Sequence, residues 1–590
     1  MMKSSSKSKK IVYGITLLTM IILMVIFLNS FYWPYEEVSK RKVVVWATAG
    51  FGIFILPILC VKCEIVYCFL EHIIKKVQIT IEKTRNNYKK KIVRLVGVAL
   101  GFCLLSLAVG FVCRFVLHTV FNLRMIYLIA AVYALIILMI KEYKTASKKP
   151  EKIFFCIAMI MGIFCIGVTP SRVGVSWDDE IHYTRTLEIS NLMNGIMYEA
   201  DVKNISEYAD NIYATTGYDR ESDAYYTQEL NFVYNNKGWS EHQFSDYNFY
   251  SVSYIPAAIG IIFARGLGLS YSSVFNMGRL FNLIMYVSLI YASIRRVKYG
   301  KILIATIGLI PTTIFMATSY SYDPWVTGFI LLGFAYFVAE LQHDELLDDK
   351  TILIINGAVL LGGLPKMTYF PMLLPLLFMP KKKFKSAKQR GIYYLTVIGT
   401  GVILVSTYLL PMFMNGAGTG DIRGGADVNS VEQIKFILEN PLQYMRILFK
   451  FCSEYVSLGN SGPMLQRFAY VGNGCLYGVV CLVLVVITFL DRGENEKNFY
   501  LVKWTSLLGC AVAILVSATA LYVGFTPVAS ETVAGMQGRY IVPTIYVALS
   551  SLGLGGVKYS INKNAFTCIP MLIVAGTFII NLMSFCIIGY

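Results

Sequence analysis

The stretch IFFCIAMIMGIFCIGV at residues 153–168, followed closely by SWDDEIHY at residues 176–183, sets the organisation of the chain. The first string is apolar and approaches the ~20 residues that a helix needs to cross a bilayer. The second places three consecutive carboxylates and a histidine directly after it. Charged groups beside the hydrocarbon core are costly and commonly serve a function. The sequence therefore predicts a functional acidic cluster at a membrane exit.

Composition places the chain among membrane proteins. Of its 590 residues, 56% are hydrophobic and only 15% are charged, as in a polytopic membrane protein rather than a soluble domain. The apolar runs predict an all-α bundle of roughly 14 transmembrane helices. We expect spans at 11–28, 43–61, 95–117, 125–140, 153–169, 302–318, 323–341, 392–413, 473–490, 501–523, 540–556 and 565–587, with further crossings in 251–294 and 351–380.

The last two regions are irregular. Residues 251–294 contain Arg265 and a Gly/Ser break, which fits two short crossings or one crossing plus an interfacial segment. Residues 351–380 are interrupted by the string GGLPK at 362–366, which predicts two short crossings with a polar tip. Broken apolar segments with a charge at the break often mark binding sites.

The formal net charge of +17 reflects membrane topology rather than nucleic-acid binding. Basic residues gather in short segments between apolar runs, at 3–10, 75–94, 141–152, 295–301 and 381–390. Such loops mark the cytoplasmic face, and they also suit contact with anionic lipid headgroups. We therefore expect a cytoplasmic N-terminus, outer loops at 170–250 and 414–472, and no nucleic-acid partner.

Two further segments carry apolar residues at helical spacing but are too polar to cross a membrane. Residues 62–94 are strongly basic and predict an interfacial helix on the inner leaflet. Residues 430–456 predict an outer counterpart with a break at Pro441. We accordingly divide the chain into residues 1–150, which hold N-terminal spans and the basic segment, and residues 151–590, which hold both outer loops.

The acidic cluster Asp178, Asp179 and Glu180, with His182, can supply a catalytic carboxylate. Glycosyl transfer needs a base for the acceptor hydroxyl and negative charge near an oxocarbenium-like centre. Asp178, Asp179 and His182 are also candidates to hold a divalent cation such as Mg²⁺ or Mn²⁺, which would neutralise a phosphate leaving group. The alternative is a solvated helix N-terminus, where acidic residues favour the helix dipole.

Two cations stand at the predicted outer ends of apolar runs, where a lipid phosphate would lie. Lys366 belongs to the string LPKMTY together with Tyr369, and Arg539 belongs to GMQGRY together with Gln537 and Tyr540. Arginine binds phosphate with bidentate geometry. The alternative for both cations is snorkelling to lipid headgroups.

Three more residues complete the candidate set for substrate binding. Arg185 follows the acidic cluster, and Arg279 would line the bundle, where it could meet a phosphate or pair with the acidic loop. Asp323 follows a Ser/Tyr-rich corner and precedes a proline, so it either caps a helix or contacts the sugar or the acceptor. The many tyrosines of the acidic segment suit sugar rings as well as ordinary packing.

The order of these motifs resembles a known family. An acidic-His motif after a span, a Ser-rich corner with Asp, LPKxxY and QGRYxxP together resemble the bacterial membrane proteins of domain-of-unknown-function family 2142, which is grouped with the GT-C glycosyltransferases. The likeness extends over roughly residues 150–590. The family's acidic motif is Pro-Asp-Glu-x-x-His. Here Trp177 replaces the proline, so Asp178 takes the Asp position and Asp179 the Glu position.

The resemblance implies a GT-C fold with its active site on the outer face of a bacterial plasma membrane. The donor would be a polyprenyl-phosphate-linked sugar, which explains the lack of a visible nucleotide-binding motif. The acceptor would be a surface glycan, a teichoic acid or a lipid-linked chain, and Asp178 or Asp179 would be the base. We thus predict an inverting glycosyltransferase; the alternatives are a lipid-linked glycan flippase or transporter and a polysaccharide polymerase or ligase.

Overall fold

The computed structural model describes residues 88–116, 121–191, 195–207, 220–242, 249–415, 424–425, 427–457, 464–469, 474, 476–493, 499–552 and 561–587. Within these residues the chain is mostly helical, with a single two-stranded sheet. The spans predicted at 11–28 and 43–61, and residues 62–87 of the basic segment, lie outside the described residues. Residues 88–94 of that segment open the first described helix.

From residue 88 onward, the described helices before the acidic segment are α1 Tyr88–Phe115, α2 Leu123–Glu142 and α3 Pro150–Val168. The side chain of Asn122 caps α2 by accepting the backbone N–H of Met125 at 3.0 Å. Helix α3 begins with Pro150, which suits the first turn because its missing N–H would have no helical partner there. It ends next to the connection that leads to the acidic cluster.

The acidic segment folds as a small cap on one end of the bundle. Its elements are α4 Asp179–Ser190, β1 Ile196–Tyr198, α5 Glu199–Glu207, α6 Arg220–Asn235 and β2 Trp239–Glu241, with β1 and β2 antiparallel. A buried ion pair holds the cap in place, because the Nη2 of Arg265 lies 2.5 Å from Oδ2 of Asp201. The other oxygen of Asp201, Oδ1, accepts the hydroxyl of Tyr183 at 2.8 Å. Arg265 therefore serves to dock the cap.

The irregular region 251–294 contains one short and one long helix. Helix α7 Ile255–Gly266 has 12 residues, whereas α8 Tyr271–Arg296 has 26 and is long and apolar enough to cross a membrane. The two pack at close range, because a Cβ on Gly260 would lie 2.5 Å from the backbone oxygen of Met277. Of the two alternatives from the sequence, the helix lengths favour a single crossing, by α8.

The single span expected at 302–318 is instead two short helices, α9 Lys301–Gly308 and α10 Pro311–Ala317. Pro311 has no N–H to donate, so the helix breaks before it. The segment 464–469 supplies hydrogen-bond partners at the break. Its Leu465 carbonyl accepts the N–H of Thr312 at 3.1 Å, and its Met464 carbonyl accepts the Thr312 hydroxyl at 2.7 Å.

The following region has the helix–break–helix form expected from the GGLPK string. Helix α11 Asp323–Gln342 leads into α12 Asp349–Gly363, which is followed after a break by a 3₁₀ helix at Met367–Phe378. Lys366 lies in that break, outside both helices. The chain then continues into α13 Ala387–Asn415.

The C-terminal part begins with the two amphipathic helices expected near 430–456, which are α14 Ser430–Glu439 and α15 Pro441–Tyr455. The remaining helices are α16 Tyr477–Leu490, α17 Tyr500–Gly524, a 3₁₀ turn at Gly538–Ile541, α18 Val542–Leu552 and α19 Lys563–Ile587.

The chain is a polytopic helical membrane protein, although fewer described helices meet the length of a span than the apolar runs suggest. Eight are long and apolar enough to cross a membrane. They lie at Val96–Phe115, Leu123–Lys148, Pro150–Val168, Tyr271–Arg296, Asp323–Gln342, Ala387–Thr407, Tyr500–Gly524 and Lys563–Met583. The spans expected at 473–490 and 540–556 correspond to α16 and α18, whose 14 and 11 residues are short for a crossing.

Candidate functional site

A buried arginine between two aspartates forms the centre of the candidate site. The Nη2 of Arg539 lies 2.9 Å from Oδ2 of Asp178, and its Nη1 lies 3.1 Å from Oδ2 of Asp323. The arginine side chain is 3% exposed, whereas that of Asp178 is 33% exposed. The site therefore consists of a buried cation, Arg539, here called the cationic floor, and a partly exposed carboxylate, Asp178.

Three distant parts of the chain bring these charges together. Asp178 precedes α4, Asp323 begins α11, and Arg539 lies in the 3₁₀ turn that leads into α18. The hydroxyl of Ser321 donates to Asp323 at 3.1 Å, which fixes that carboxylate at its helix start. The site thus forms where helix termini converge at the capped end of the bundle, hereafter the site end.

Asp178 has a left-handed backbone conformation, which is uncommon for residues other than glycine. Its φ is +53°, in the left-handed region, and its side chain makes no capping bond to α4. Such a conformation costs about 1–3 kcal/mol and is found preferentially at functional sites. It turns the carboxylate away from its own helix and toward Arg539.

The neighbouring Asp179 has a different environment. Its carboxylate accepts the backbone N–H groups of Gly174 at 2.9 Å, Val175 at 3.1 Å and Ser176 at 2.9 Å. Burial raises the pKa of Asp179 to about 7, and the three N–H groups oppose this by favouring the ionised form. Asp179 therefore holds the connection between α3 and α4 in shape, and it does not face Arg539.

Replacing Asp179 with asparagine should destabilise the protein. An amide has only one acceptor oxygen, so at least one of the three backbone N–H groups would lose its partner, at about 1–3 kcal/mol. The melting temperature of the purified protein in detergent measures this loss. Glu241→Gln, which changes an exposed carboxylate of the cap, is the matched control. An unchanged melting temperature in Asp179→Asn would contradict the structural role.

Lys366 places a second cation beside Arg539. Its amine lies 2.7 Å from the centre of the Tyr540 ring, and among the described residues it has no hydrogen-bond partner. Burial lowers the pKa of this amine well below its usual range, and the nearby Asp323 opposes the shift. A buried amine without a hydrogen-bonding partner calls for an explanation, because such groups are normally satisfied.

Aromatic rings and backbone contacts frame the two cations. The guanidinium of Arg539 lies 5.2 Å from the Trp177 ring and 5.5 Å from the Tyr540 ring. The hydroxyl of Tyr369 donates to the carbonyl of Tyr540 at 2.8 Å. Gln537 is held through its carbonyl, which accepts the hydroxyl of Tyr455 at 2.9 Å, and its side-chain oxygen is buried without a partner in the described part of the chain.

His182 lies behind the site rather than in it. Its Nδ1 is 2.7 Å from the hydroxyl of Tyr254, and its ring meets that of Tyr322 edge to face at 4.9 Å. Because Tyr322 directly precedes Asp323, His182 supports the site through this ring. Glu180 is half-exposed in the first turn of α4.

Arg185 and Arg279 point to other partners. Arg185 donates to Glu188 at 3.1 Å and to the hydroxyl of Tyr250 at 3.4 Å. Arg279 donates to the carbonyl of Thr318 at 2.5 Å and to the hydroxyl of Thr169 at 2.5 Å, so it ties α8 to the ends of α3 and α10. Within the described residues, neither arginine forms an ion pair or a hydrogen bond with Asp323 or Arg539.

The candidate metal ligands do not converge. Asp178 faces Arg539, Asp179 faces backbone N–H groups, and His182 faces Tyr254. In the described part of the chain no group of three His, Cys, Asp or Glu side chains is arranged to hold a metal ion. As arranged, these three side chains do not fit a divalent cation.

Tyr455 belongs to the site but is not among the residues noted from the sequence, whereas Trp177 is noted there as the replacement for the family's proline. The sequence indicates a role for Trp177 because it directly precedes the acidic cluster. Tyr455 had only its place in an amphipathic helix, which does not predict contact with Gln537.

Fold and site together define a polytopic helical membrane protein with a charged site at one end of its bundle. The chain belongs to the DUF2142 family, described as predicted membrane proteins, whose model matches residues 159–548. Asp178, Asp323, Lys366 and Arg539 all lie within the matched range. The chain matches no curated protein and no solved structure.

Proposed function

We propose that the protein is a membrane glycosyltransferase of the GT-C type. It takes a sugar from a polyprenyl-phosphate-linked donor and transfers it to a surface glycan or lipid-linked acceptor. The observation that carries the proposal is the buried Arg539, which is held between Asp178 and Asp323 beside the buried amine of Lys366. This arrangement combines phosphate-binding cations with a candidate base at one end of a membrane bundle.

The cations suit the phosphate of a lipid donor. The Nε of Arg539 is buried and has no hydrogen-bond partner among the described residues, so one donor of the guanidinium remains available. A phosphate oxygen can accept from this nitrogen while another lies near the Lys366 amine. Charge-assisted bonds of this kind are about twice as strong as neutral ones. Both cations would stabilise the charge on the departing polyprenyl phosphate.

Asp178 is the group best placed to act as base. Its carboxylate is partly exposed and lies next to the cations, whereas Asp179 is occupied by backbone N–H groups. In the proposed step Asp178 takes the proton of the acceptor hydroxyl. The acceptor oxygen forms a bond to the anomeric carbon as the bond from that carbon to the phosphate oxygen breaks. A single displacement of this kind inverts the anomeric configuration.

The proposed setting is a bacterial plasma membrane with the site facing outward. The segment 381–390, which follows the 3₁₀ helix at its end away from Lys366, is strongly basic, and basic loops mark the cytoplasmic side. Lipid-linked sugars would then reach the site from the outer leaflet. We propose in addition that the helical bundle has the GT-C fold.

A transfer assay in native membranes tests the function. Membranes containing the wild-type protein or Asp178→Asn are incubated with radiolabelled polyprenyl-phosphate sugars and crude cell-wall acceptor. We expect label to move to the acceptor with the wild type and not with the variant. Absence of transfer with every donor, together with a change in the sidedness of the lipid-linked sugar, would instead favour a flippase.

Binding of a lipid phosphate should draw a proton onto Lys366. Burial lowers the pKa of this amine, and an adjacent phosphate dianion would raise it again. The bound state then holds more protons, so affinity should fall by up to about tenfold per pH unit above the lowered pKa. Calorimetry with farnesyl phosphate in buffers of different ionisation enthalpy measures the uptake.

The matched control for this measurement is Lys366→Met, which keeps the length of the side chain without the amine. We expect its proton uptake to fall toward zero. Equal uptake by the wild type and the variant would assign the proton to another group.

A further inference from the structure

Helix α15 carries an apolar stripe that no part of the described chain covers. Leu442, Met445 and Phe449 are 74%, 65% and 78% exposed, and Val456 extends the same line. The intervals of three, four and seven residues place all four side chains on one face of the helix. In α14 the large apolar residues Val431 and Leu438 are likewise exposed.

The opposite face of α15 packs against the bundle. The ring of Tyr444 lies 5.2 Å from that of Tyr522, and its hydroxyl donates to Thr519 at 2.7 Å. Thr519 and Tyr522 belong to the last turns of α17, a helix long and apolar enough to span the membrane. Helix α15 therefore lies against the end of a helix that is long enough to span the membrane.

A third face of α15 is polar. Arg446, Lys450, Ser453 and Glu454 are all exposed on this face, next to the apolar stripe. A helix with one face toward protein, one apolar face and one polar face that carries two cations and a carboxylate resembles interfacial helices. The basic residues would lie at the depth of the lipid phosphates.

We propose that the α14–α15 pair is a membrane-surface arm whose apolar stripe is inserted into the leaflet at the site end. The occupant of this surface is lipid because the stripe adjoins the end of a membrane-spanning helix and is bordered by cations. Insertion of the arm into the leaflet does not depend on the transfer reaction.

The arm is connected directly to the candidate site. Tyr455, in the last turn of α15, is buried and donates its hydroxyl to the Gln537 carbonyl at 2.9 Å. Arg539 follows two residues later. The arm is therefore hydrogen-bonded to the segment that carries Arg539.

Depth-dependent fluorescence quenching tests the arm in the full-length protein. A fluorescent amino acid replaces Phe449 or, as the matched control on the polar face of the same helix, Ser453. The protein is reconstituted in phosphatidylcholine–phosphatidylglycerol vesicles, either with brominated acyl chains or with iodide in the buffer. We expect brominated lipid to quench the probe at 449 several-fold more than the probe at 453, and iodide to do the reverse.

Two results would overturn the proposal. Quenching of the probe at 449 by iodide would place the stripe in water. Protection from both quenchers would mean that protein covers it, either a second copy of this chain or another partner. Neither outcome depends on sugar transfer, so a failure of the arm and a failure of the proposed enzyme are distinguishable.

Discussion

Asp178→Asn should lower the turnover number for sugar transfer by at least ~100-fold while leaving the protein folded. A general base commonly contributes 10²–10⁴-fold to a rate, and an amide cannot take up the acceptor proton. The carbonyl oxygen of the introduced amide would still accept from the Nη2 of Arg539, which donates to Asp178 at 2.9 Å in the wild type. The contact that positions the residue is therefore kept while its basicity is lost.

Turnover and melting temperature should be measured together for this variant. Glu241→Gln again serves as the control for removal of one carboxylate. Wild-type turnover in Asp178→Asn would sink the assignment of the base. The reverse pattern, in which Asp179→Asn loses turnover at an unchanged melting temperature, would exchange the roles given to the two aspartates.

Arg539→Gln should have the largest effect on stability, a loss of about 3–5 kcal/mol of unfolding free energy. The substitution leaves Asp323, whose side chain is only 11% exposed, without its positive partner. An uncompensated buried charge is far more costly than the net benefit of the pair. It also removes the proposed phosphate ligand, so transfer should be lost even in the fraction that folds.

A double-mutant cycle isolates the pair. Asp323→Asn in the Arg539→Gln background removes the unpaired carboxylate, and we expect it to restore part of the lost stability, with a coupling of about 0.5–3 kcal/mol. Denaturant titration in detergent gives the four free energies. Strict additivity of the two substitutions would show that the carboxylate and the guanidinium do not interact.

The sequence predicted where the site lies better than how it is arranged. Asp178, Asp323, Lys366 and Arg539 were all singled out because each carries charge at the end of an apolar run, and the structure brings them together. The sequence does not show which of Asp178 and Asp179 faces Arg539. That depends on the left-handed φ angle of Asp178, which turns the two adjacent side chains in different directions. No pattern of residue types encodes that angle in advance.

Other expectations failed because hydropathy does not report hydrogen bonding. Hydropathy reads the apolar run 302–318 as one continuous span, although Pro311 breaks the helix. The hydrogen-bond partners at this break come from residues 464–469, which hydropathy does not show. For Arg279 the sequence leaves two partners open, a phosphate or the acidic loop. In the structure it donates to a backbone carbonyl and a hydroxyl at the ends of neighbouring helices, contacts that only the folded bundle creates.

The pair between Asp178 and Arg539 joins residues 361 positions apart. Chains are synthesised from the N-terminus, and their earlier parts fold first. The acidic cap would therefore emerge long before the arginine that neutralises it, and every ribosome-bound intermediate up to that point would lack the cationic floor. The pair, and with it the proposed phosphate site, would therefore form only once the last helices enter the membrane.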